Sequence, residues 1–425
     1  MTSRRIDLFT IVARSLRHHA AATMITAAAA ALGCGLVISV FAIERQARAA
    51  FEMTDSGIDA VLGARGSKLQ LVLNAVFHLE TSPGNIPWSA YESIRKDPDV
   101  AVAVPYAVGD SYRGFRIVGT TTEAFTKLEY RRGSTLKLAS DARAHFFDPE
   151  RREAVIGSFV AAQTGLRIED QFQPAHDVGA EGHEKHHDER YTVVGILEPT
   201  NTPVDRVVFI PIDGMFRMGG HALRGAGREY VAKADEDIPD ADKEVSAVLL
   251  QFKDPLAGIR LNQSVNVQGR QTTLAFPIAA TTAEIFNQLG WLTSVLRLIA
   301  VLVAVVAAAS ISASVCNTIR ERRREFAILR SLGARRATVV QIVVLESAAT
   351  AALGAAGGIV VHVAVFAAAA SIVRDRTGVV LDVFAPDWAL LVAPAGMIAL
   401  GALAGLVPAR QAYATDVAEN LAPSS

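Results

Sequence analysis

Four long apolar runs divide the chain, at residues 20–43, 291–317, 338–373 and 388–407. Each is long enough to cross hydrocarbon as a helix, which takes about 20 residues. The third is longer than one straight span needs and too short for two spans plus a turn, and Gly354, Gly357 and Gly358 lie at its middle. Its only ionisable groups are Glu346 and His362, and no turn chemistry splits it, so one long, bent helix is predicted. Ala47-Arg48-Ala49 after the first run resembles a signal-peptidase site. The apolar core before it exceeds the about 7–15 residues of a signal core, which favours a membrane span.

Between the first two runs, over residues 44–290, the pattern changes to short β-rich stretches. Val100 to Val104, Phe115 to Val118, Tyr191 to Ile196, Arg206 to Ile210 and Val245 to Phe252 read as strands. Helical patches are expected at Ser89 to Lys96, at Ser158 to Thr164 and at Asp254 to Val265, the last with Asp254 as N-cap. The two element types do not alternate as a wound parallel sheet requires, so an α+β domain is predicted, its length allowing two lobes. The fold class that follows is an integral membrane α-helical protein of four transmembrane helices, with a large extracytoplasmic α+β domain inserted between the first and second.

Charge sets the expected orientation. Arg4, Arg5, Arg14 and Arg17 precede the first run, and seven arginines lie from Arg320 to Arg336 after the second. By the positive-inside rule both sites face the cytoplasm. Residues 1–19 and the tail 408–425 then face inward, residues 44–290 and the mixed-charge loop 374–387 face outward, and both termini are cytoplasmic. Within 1–19 the segment from Leu8 to Leu16 is amphipathic and suits the inner membrane surface and its lipids. Half of the residues are hydrophobic and the formal net charge is −1. With a mean hydropathy of +0.27 the chain is too apolar for a water-soluble protein and too polar for a pure membrane bundle. Nucleic-acid binding is excluded by the absence of a basic surplus. The two cysteines, Cys34 and Cys316, both fall in apolar runs and read as small buried hydrophobes.

Three groups of residues are candidates for chemistry. The first is the arginine-dense segment 318–337. Ile319, Phe326, Leu329 and Leu332 recur there at three- and seven-residue steps, as on a helix that docks against a partner, although a plain topogenic loop would also carry this charge. The second is the intramembrane pair. Glu346 suits either a carboxylate near the interface paired with an arginine or a relay or dimer-interface role, and His362 suits a neutral ring hydrogen-bonded to a neighbouring helix, with proton relay as the alternative. The third is the stretch from His176 to Asp188, where His176, His183, His186 and His187 mix with four carboxylates. Imidazole and carboxylate suit zinc, and the competing reading is a solvated charged loop. No peptidase, glycosidase or nucleophile triad stands out.

The order of parts and several motifs resemble the FtsX-like and MacB-like permeases of ATP-binding-cassette (ABC) transporters, the type VII or mechanotransmission group. The motifs are REFAILRSLGARRATVVQIVVLE from Arg324 to Glu346, the three central glycines of the third run, and the tail from Pro408 to Leu421. In the outer region, AVIGSFVAAQTGL at Ala154 to Leu166 and YTVVGIL at Tyr191 to Leu197 resemble the MacB-like periplasmic core. Where the family often has Gly-Asp, this chain has Glu169-Asp170.

The resemblance implies an inner-membrane permease subunit that pairs with a second permease copy or a homologous permease, and with a cytoplasmic ABC ATPase dimer. That ATPase would bind ATP-Mg; this chain would hold no cofactor of its own and would not be an enzyme. The chain has no G-x-x-x-x-G-K-[ST] loop, and Gly63 to Lys68 lacks the Gly-Lys step. The implied contact surface is Arg324, Glu325, Phe326, Leu329, Arg330 and Gly333. Expected roles are export or extraction of a lipoprotein, lipid, peptide or drug. An FtsX-type regulator of a periplasmic protein partner and a zinc-linked transport component are the alternatives.

Overall fold

The computed structural model describes residues 8–51, 56–176, 185–186, 188–218, 222–224, 228–230, 237–269, 271–321, 325, 328, 331 and 334–413. They form two units, one of residues 1–47, 289–372 and 381–425, the other of 48–288 and 373–380.

Four helices are long and apolar enough to cross a membrane. The first, Ala20–Phe51, follows the short amphipathic helix Leu8–His18. The second is Ile278–Glu321, the third Arg336–Thr377, and the fourth Ala389–Ala404, which leads into Leu406–Tyr413. The third apolar run is thus a single helix. Two of these helices extend well beyond the apolar windows. The first continues past residue 43 because ERQARAA favours helix without being apolar, and the second begins at Ile278, before residue 291, because AATTAEIFNQLG does the same. Hydropathy registers only the part of a helix that must dissolve in lipid. The loop expected at 374–387 likewise begins as helix, through Thr377.

Within the membrane unit the contacts are made by small residues. A side chain on Gly354 would strike Ala30, one on Gly357 would press on Ala31, and one on Gly358 would strike Cys34. From the facing helix, a side chain on Gly35 would strike the Gly358 carbonyl and Val361. The three central glycines of the third helix therefore let its backbone approach the first, the usual way helices gain van der Waals contact in lipid. The buried cluster of this unit is accordingly rich in alanine: Ala30, Ala304, Ala307, Ala351 and Ala355, with Cys34, Ile38 and Ile311.

The outer unit is organised by one eleven-stranded mixed sheet. Its main path runs Thr272–Ala275, Ala60–Ala64, Ala247–Phe252, Val100–Tyr112, Phe115–Thr120, Val208–Pro211, Glu153–Ile156, Tyr191–Ile196 and Gln171–Phe172. Pairing is antiparallel except between Phe115–Thr120 and Val208–Pro211 and between Glu153–Ile156 and Tyr191–Ile196. Among the described residues, three two-stranded sheets accompany it. Both faces of the large sheet are buried. Leu62, Ile117, Ile156, Val193 and Ile210 point into one core, while their neighbours Val61, Val118, Val155, Val194 and Phe209 point into the other. A strand covered on both sides needs apolar residues at every position, which is why these strands read as continuous apolar runs.

The flanking helices fall close to expectation. Trp88–Arg95 contributes Tyr91 and Ile94 to one core, and Ser158–Thr164 contributes Phe159 and Val160. The Asp254 carboxylate accepts from the Leu256 N–H and caps Pro255–Asn262, after which the chain continues as a π-helical turn, Gln263–Gln268. The strand expected from Arg206 starts two residues later, because Pro203–Arg206 is a 3-10 turn with Pro at its start.

Candidate functional site

The two intramembrane ionisable residues are buried and each meets a serine. Ser15, on the N-terminal amphipathic helix, donates to Glu346 Oε1 at 2.7 Å. This contact ties the amphipathic helix to the start of the third membrane helix. The Oγ of Ser39, on the first membrane helix, lies 3.1 Å from His362 Nδ1, and the same ring packs edge-on against Phe366 at 5.4 Å. Ser39 also donates to the Gly35 carbonyl at 2.7 Å, so its hydroxyl lies at the close approach of the first and third helices.

The far end of the first membrane helix carries a second polar group. Glu44 forms a two-pronged pair with Arg297, whose guanidinium lies 5.4 Å from the Phe41 ring. Arg45 reaches Asp387 at 3.0 Å and donates to the Pro386 carbonyl at 2.7 Å. Gln46 exchanges two hydrogen bonds with the Asp382 backbone, at 2.8 and 2.9 Å. Three consecutive residues thus fasten the first helix to the second helix and to the loop before the fourth. Bidentate arginine–carboxylate geometry fixes orientation as well as distance.

Of the arginine-dense segment, Glu325 is helical and exposed. Arg324, Phe326, Leu329, Arg330 and Gly333 lie outside the described residues. In the histidine-rich stretch, the backbone of His176 pairs with Lys185 and with Asp110, and that of His186 pairs with Ala175. His183 and His187 lie outside the described residues, and among the described residues no group of three histidine, cysteine or acidic side chains is placed to hold a metal ion.

The structure brings forward one arrangement that spacing does not reveal. Residues 373–380, which include the last turn of the third membrane helix, belong to the outer unit and are held there by its 200–206 turn. The Asp205 carboxylate builds that turn by accepting from the backbone N–H of Thr200 and of Asn201 and from the Thr200 hydroxyl, at 2.8 to 3.1 Å. Arg206 then donates to the Asp375 carbonyl. Asn201 accepts from the Val380 N–H at 2.6 Å and donates to its carbonyl at 3.2 Å. The Arg206 guanidinium lies 5.1 Å from both the Phe115 and Phe159 rings, and Arg374 lies 5.5 Å from Phe159. Gly378 closes the turn at φ +77°, and a side chain there would strike Arg206. The 200–206 turn and residues 375–380 sit in distant stretches of sequence, so only the fold connects them.

Comparison with known proteins agrees with this architecture. The family model described as the FtsX-like permease C-terminal matches residues 297–417, and that of the MacB-like periplasmic core domain matches residues 23–255, more than half of the chain. The chain belongs to the FtsX-like, MacB-like family of ABC transporter permeases. Permeases of this family are membrane components and not themselves enzymes, and the family works with a cytoplasmic ABC ATPase. Among solved structures, the periplasmic region of MacB from Actinobacillus actinomycetemcomitans aligns at 10% identity and a TM-score of 0.33, covering 55% of this chain and 95% of that one. The extracellular domain of the noncanonic ABC-type transporter YknZ from Gram-positive bacteria aligns at 12% identity and a TM-score of 0.28, covering 51% and 98%. No curated protein matches the chain.

Proposed function

We propose that this permease subunit couples ATP hydrolysis by a separate cytoplasmic ATPase dimer to movement of its outer domain, for export or extraction of an envelope substrate. Both termini face the cytoplasm in this reading, by the arginine distribution. The segment Arg324 to Gly333 is the ATPase contact, with Arg324, Glu325, Phe326, Leu329, Arg330 and Gly333 as its surface. The observation that carries the reading is the hold of the 200–206 turn on residues 373–380, which fixes the last turn of a membrane helix inside the outer unit. A push on that helix would therefore be delivered to the sheet through Arg206 and Asn201. The third helix carries only two ionisable groups within its apolar run, as suits a rod more than the lining of an aqueous path.

The test is to reconstitute the full chain in nanodiscs with its ATPase and to follow a pair of spin labels across the outer unit. ATP should change their separation, and Phe326→Ala should weaken co-purification of the ATPase. Asn201→Ala should leave ATP hydrolysis intact while reducing the label movement. An outer unit that ignores ATP while the ATPase is bound and active would overturn the coupling.

A further inference from the structure

The seam between the first and third membrane helices ends on a polar pair. Gly35 meets the Gly358 backbone, and one turn further along both helices Ser39 meets His362. The two side chains are enclosed, His362 at 2% exposure and Ser39 at 1%. A serine hydroxyl has one proton, and here it goes to the Gly35 carbonyl at 2.7 Å. Across the 3.1 Å contact Ser39 Oγ therefore accepts, which assigns the ring proton to His362 Nδ1. A neutral imidazole carries only one N–H, so Nε2 is left as a bare lone pair. The other neighbour of the ring is Phe366, at 5.4 Å, which has no donor to offer.

The charge that acts on this ring is Asp387, just before the fourth membrane helix. Its Oδ1 accepts from the Ala389 N–H at 2.8 Å and so caps that helix. Its Oδ2 is buried and, although Arg45 Nε lies 3.0 Å away, accepts no hydrogen bond of good geometry. The surrounding helices bring few other charges. The first has none from residue 20 to 43 and the fourth none from Ala389 to Ala404. From 291 to 319 the second has Arg297 alone, which is paired with Glu44. In the third apolar run the other ionisable group is Glu346, about four turns before His362. A basic nitrogen without a donor and a carboxylate oxygen without one are thus buried within electrostatic reach of each other.

We propose that His362 is a proton-binding site of the membrane unit, with Asp387 as its counter-charge. A proton from water adds to the Nε2 lone pair and no other bond breaks. The imidazolium so formed keeps its Nδ1–H on Ser39 and gains an Nε2–H as a second donor. Its charge is balanced by a carboxylate that only Arg45 serves while the ring is neutral. Packing alone does not call for a histidine here, because glycine and alanine close the same seam one turn earlier. Histidine is the side chain whose charge changes between about pH 5 and 8. Proton uptake adds a charged link from the third helix to the entry of the fourth, on the same carboxylate that fastens the first through Arg45. The site rests on geometry within the membrane unit and not on the coupling reading above.

The experiment uses the full chain in lipid nanodiscs, labelled with nitrogen-15 in histidine and followed by magnetic resonance. Among the ten histidines, the His362 signals are those lost in His362→Gln. At about pH 8 the ring should show a protonated Nδ1 and a bare Nε2, and toward about pH 5 a doubly protonated ring should replace it. Asp387→Asn keeps an oxygen able to cap the fourth helix, so it removes the charge and spares the cap. At the pH where the wild type is half converted, this variant should lose most of the doubly protonated signal. Unfolding midpoints read in parallel identify folded variants. A wild-type ring that stays neutral down to about pH 5, or whose neutral form carries its proton on Nε2, overturns the site without recourse to any variant. Equal conversion in folded Asp387→Asn overturns the role of the counter-charge.

Discussion

The two units of this chain are both apolar inside, but they are packed by opposite means. In the outer unit the sheet buries large side chains on both faces, with Phe125, Phe209, Tyr91, Tyr191 and Phe216 almost wholly enclosed. In the membrane unit the closest helix contacts belong to alanine and glycine, beside buried larger residues such as Ile38, Ile311 and Val343, while many large side chains such as Trp291, Leu298, Val306, Val360 and Leu391 are turned outward. The difference follows from the solvent. In water, burying a large side chain contributes about 1.5–3 kcal/mol, so large residues go inside. Lipid is as apolar as leucine, so nothing is gained by hiding leucine from it, and helix association depends on how closely backbones can approach.

Two substitutions test this contrast most directly. Phe209→Ala removes a ring that contacts Phe125 and Tyr106 at the centre of the sheet, and should cost about 4 kcal/mol by leaving a cavity. In the membrane unit the damaging change is enlargement. A Cβ on Gly35 would lie 2.7 Å from the Gly358 carbonyl oxygen and from Val361 Cβ. Backbone cannot step aside, so Gly35→Val should cost about 3 kcal/mol. Gly396→Ala, with nothing within 4 Å of the added carbon, should leave stability unchanged. Unfolding of the purified chain in detergent measures all three. If Gly35→Val matches Gly396→Ala, close approach is not what holds the first and third helices together.

The same contrast explains what could be read in the sequence. Apolar runs marked the four membrane helices because a spanning helix must be apolar on every lipid-facing side, and REFAILRSLGARR marked the machine class by resemblance. Strands such as Tyr191–Ile196 were legible because their two buried faces leave six residues with little polar interruption. Ala60–Ala64, next to the edge strand Thr272–Ala275, is not legible as a strand because AVLGA is short and carries alanine and glycine, which have little strand preference. Gly63 is small there because Leu71 packs directly on it. The Arg206–Asp375 contact was not legible at all. Its members lie 169 residues apart, and no local spacing can encode a meeting that the fold creates.

Acid should separate the units as well. His78 lies in the outer unit with its pKa lowered to about 3, because burial and then Arg116 disfavour its charged form; it stacks near Tyr106 and shares a cavity with Asp110. An unfolded histidine titrates near 6.5, so below that pH the unfolded chain binds a proton that the folded chain does not. The stabilising effect of keeping His78 neutral is complete above about pH 6.5 and is lost as pH falls from there toward 3, at about 1.4 kcal/mol per unit. Between pH 7 and 5 this one group should remove about 2 kcal/mol from the outer unit. His78→Gln should flatten that slope, measured as unfolding midpoint against pH. An unchanged slope would assign the acid sensitivity to other groups.

The smallest effect sharpens the comparison furthest, because it asks glycine to do the opposite job. In the membrane unit glycine supplies space; at Glu169 of the outer unit the chain needs glycine for its backbone. Glu169 has φ +77°, in the left-handed region where a side chain costs about 1–2 kcal/mol, and it stands where the family often places glycine. What the glutamate returns is an ion pair with Arg143 at 3.1 Å, but with Glu169 about 70% exposed such a pair contributes at most about 1 kcal/mol. Arg143 also keeps Asp141, whose carboxylate holds it by two hydrogen bonds. The added backbone freedom of glycine in the unfolded state offsets part of the gain. Glu169→Gly should therefore stabilise the outer unit by about 0.5 kcal/mol, and Arg143→Gln should destabilise it only slightly, because the pair it breaks is exposed to solvent. If Glu169→Gly is instead the more damaging of the two, the ion pair outweighs the backbone at this turn, and the departure from Gly-Asp is a stabilising feature of this chain.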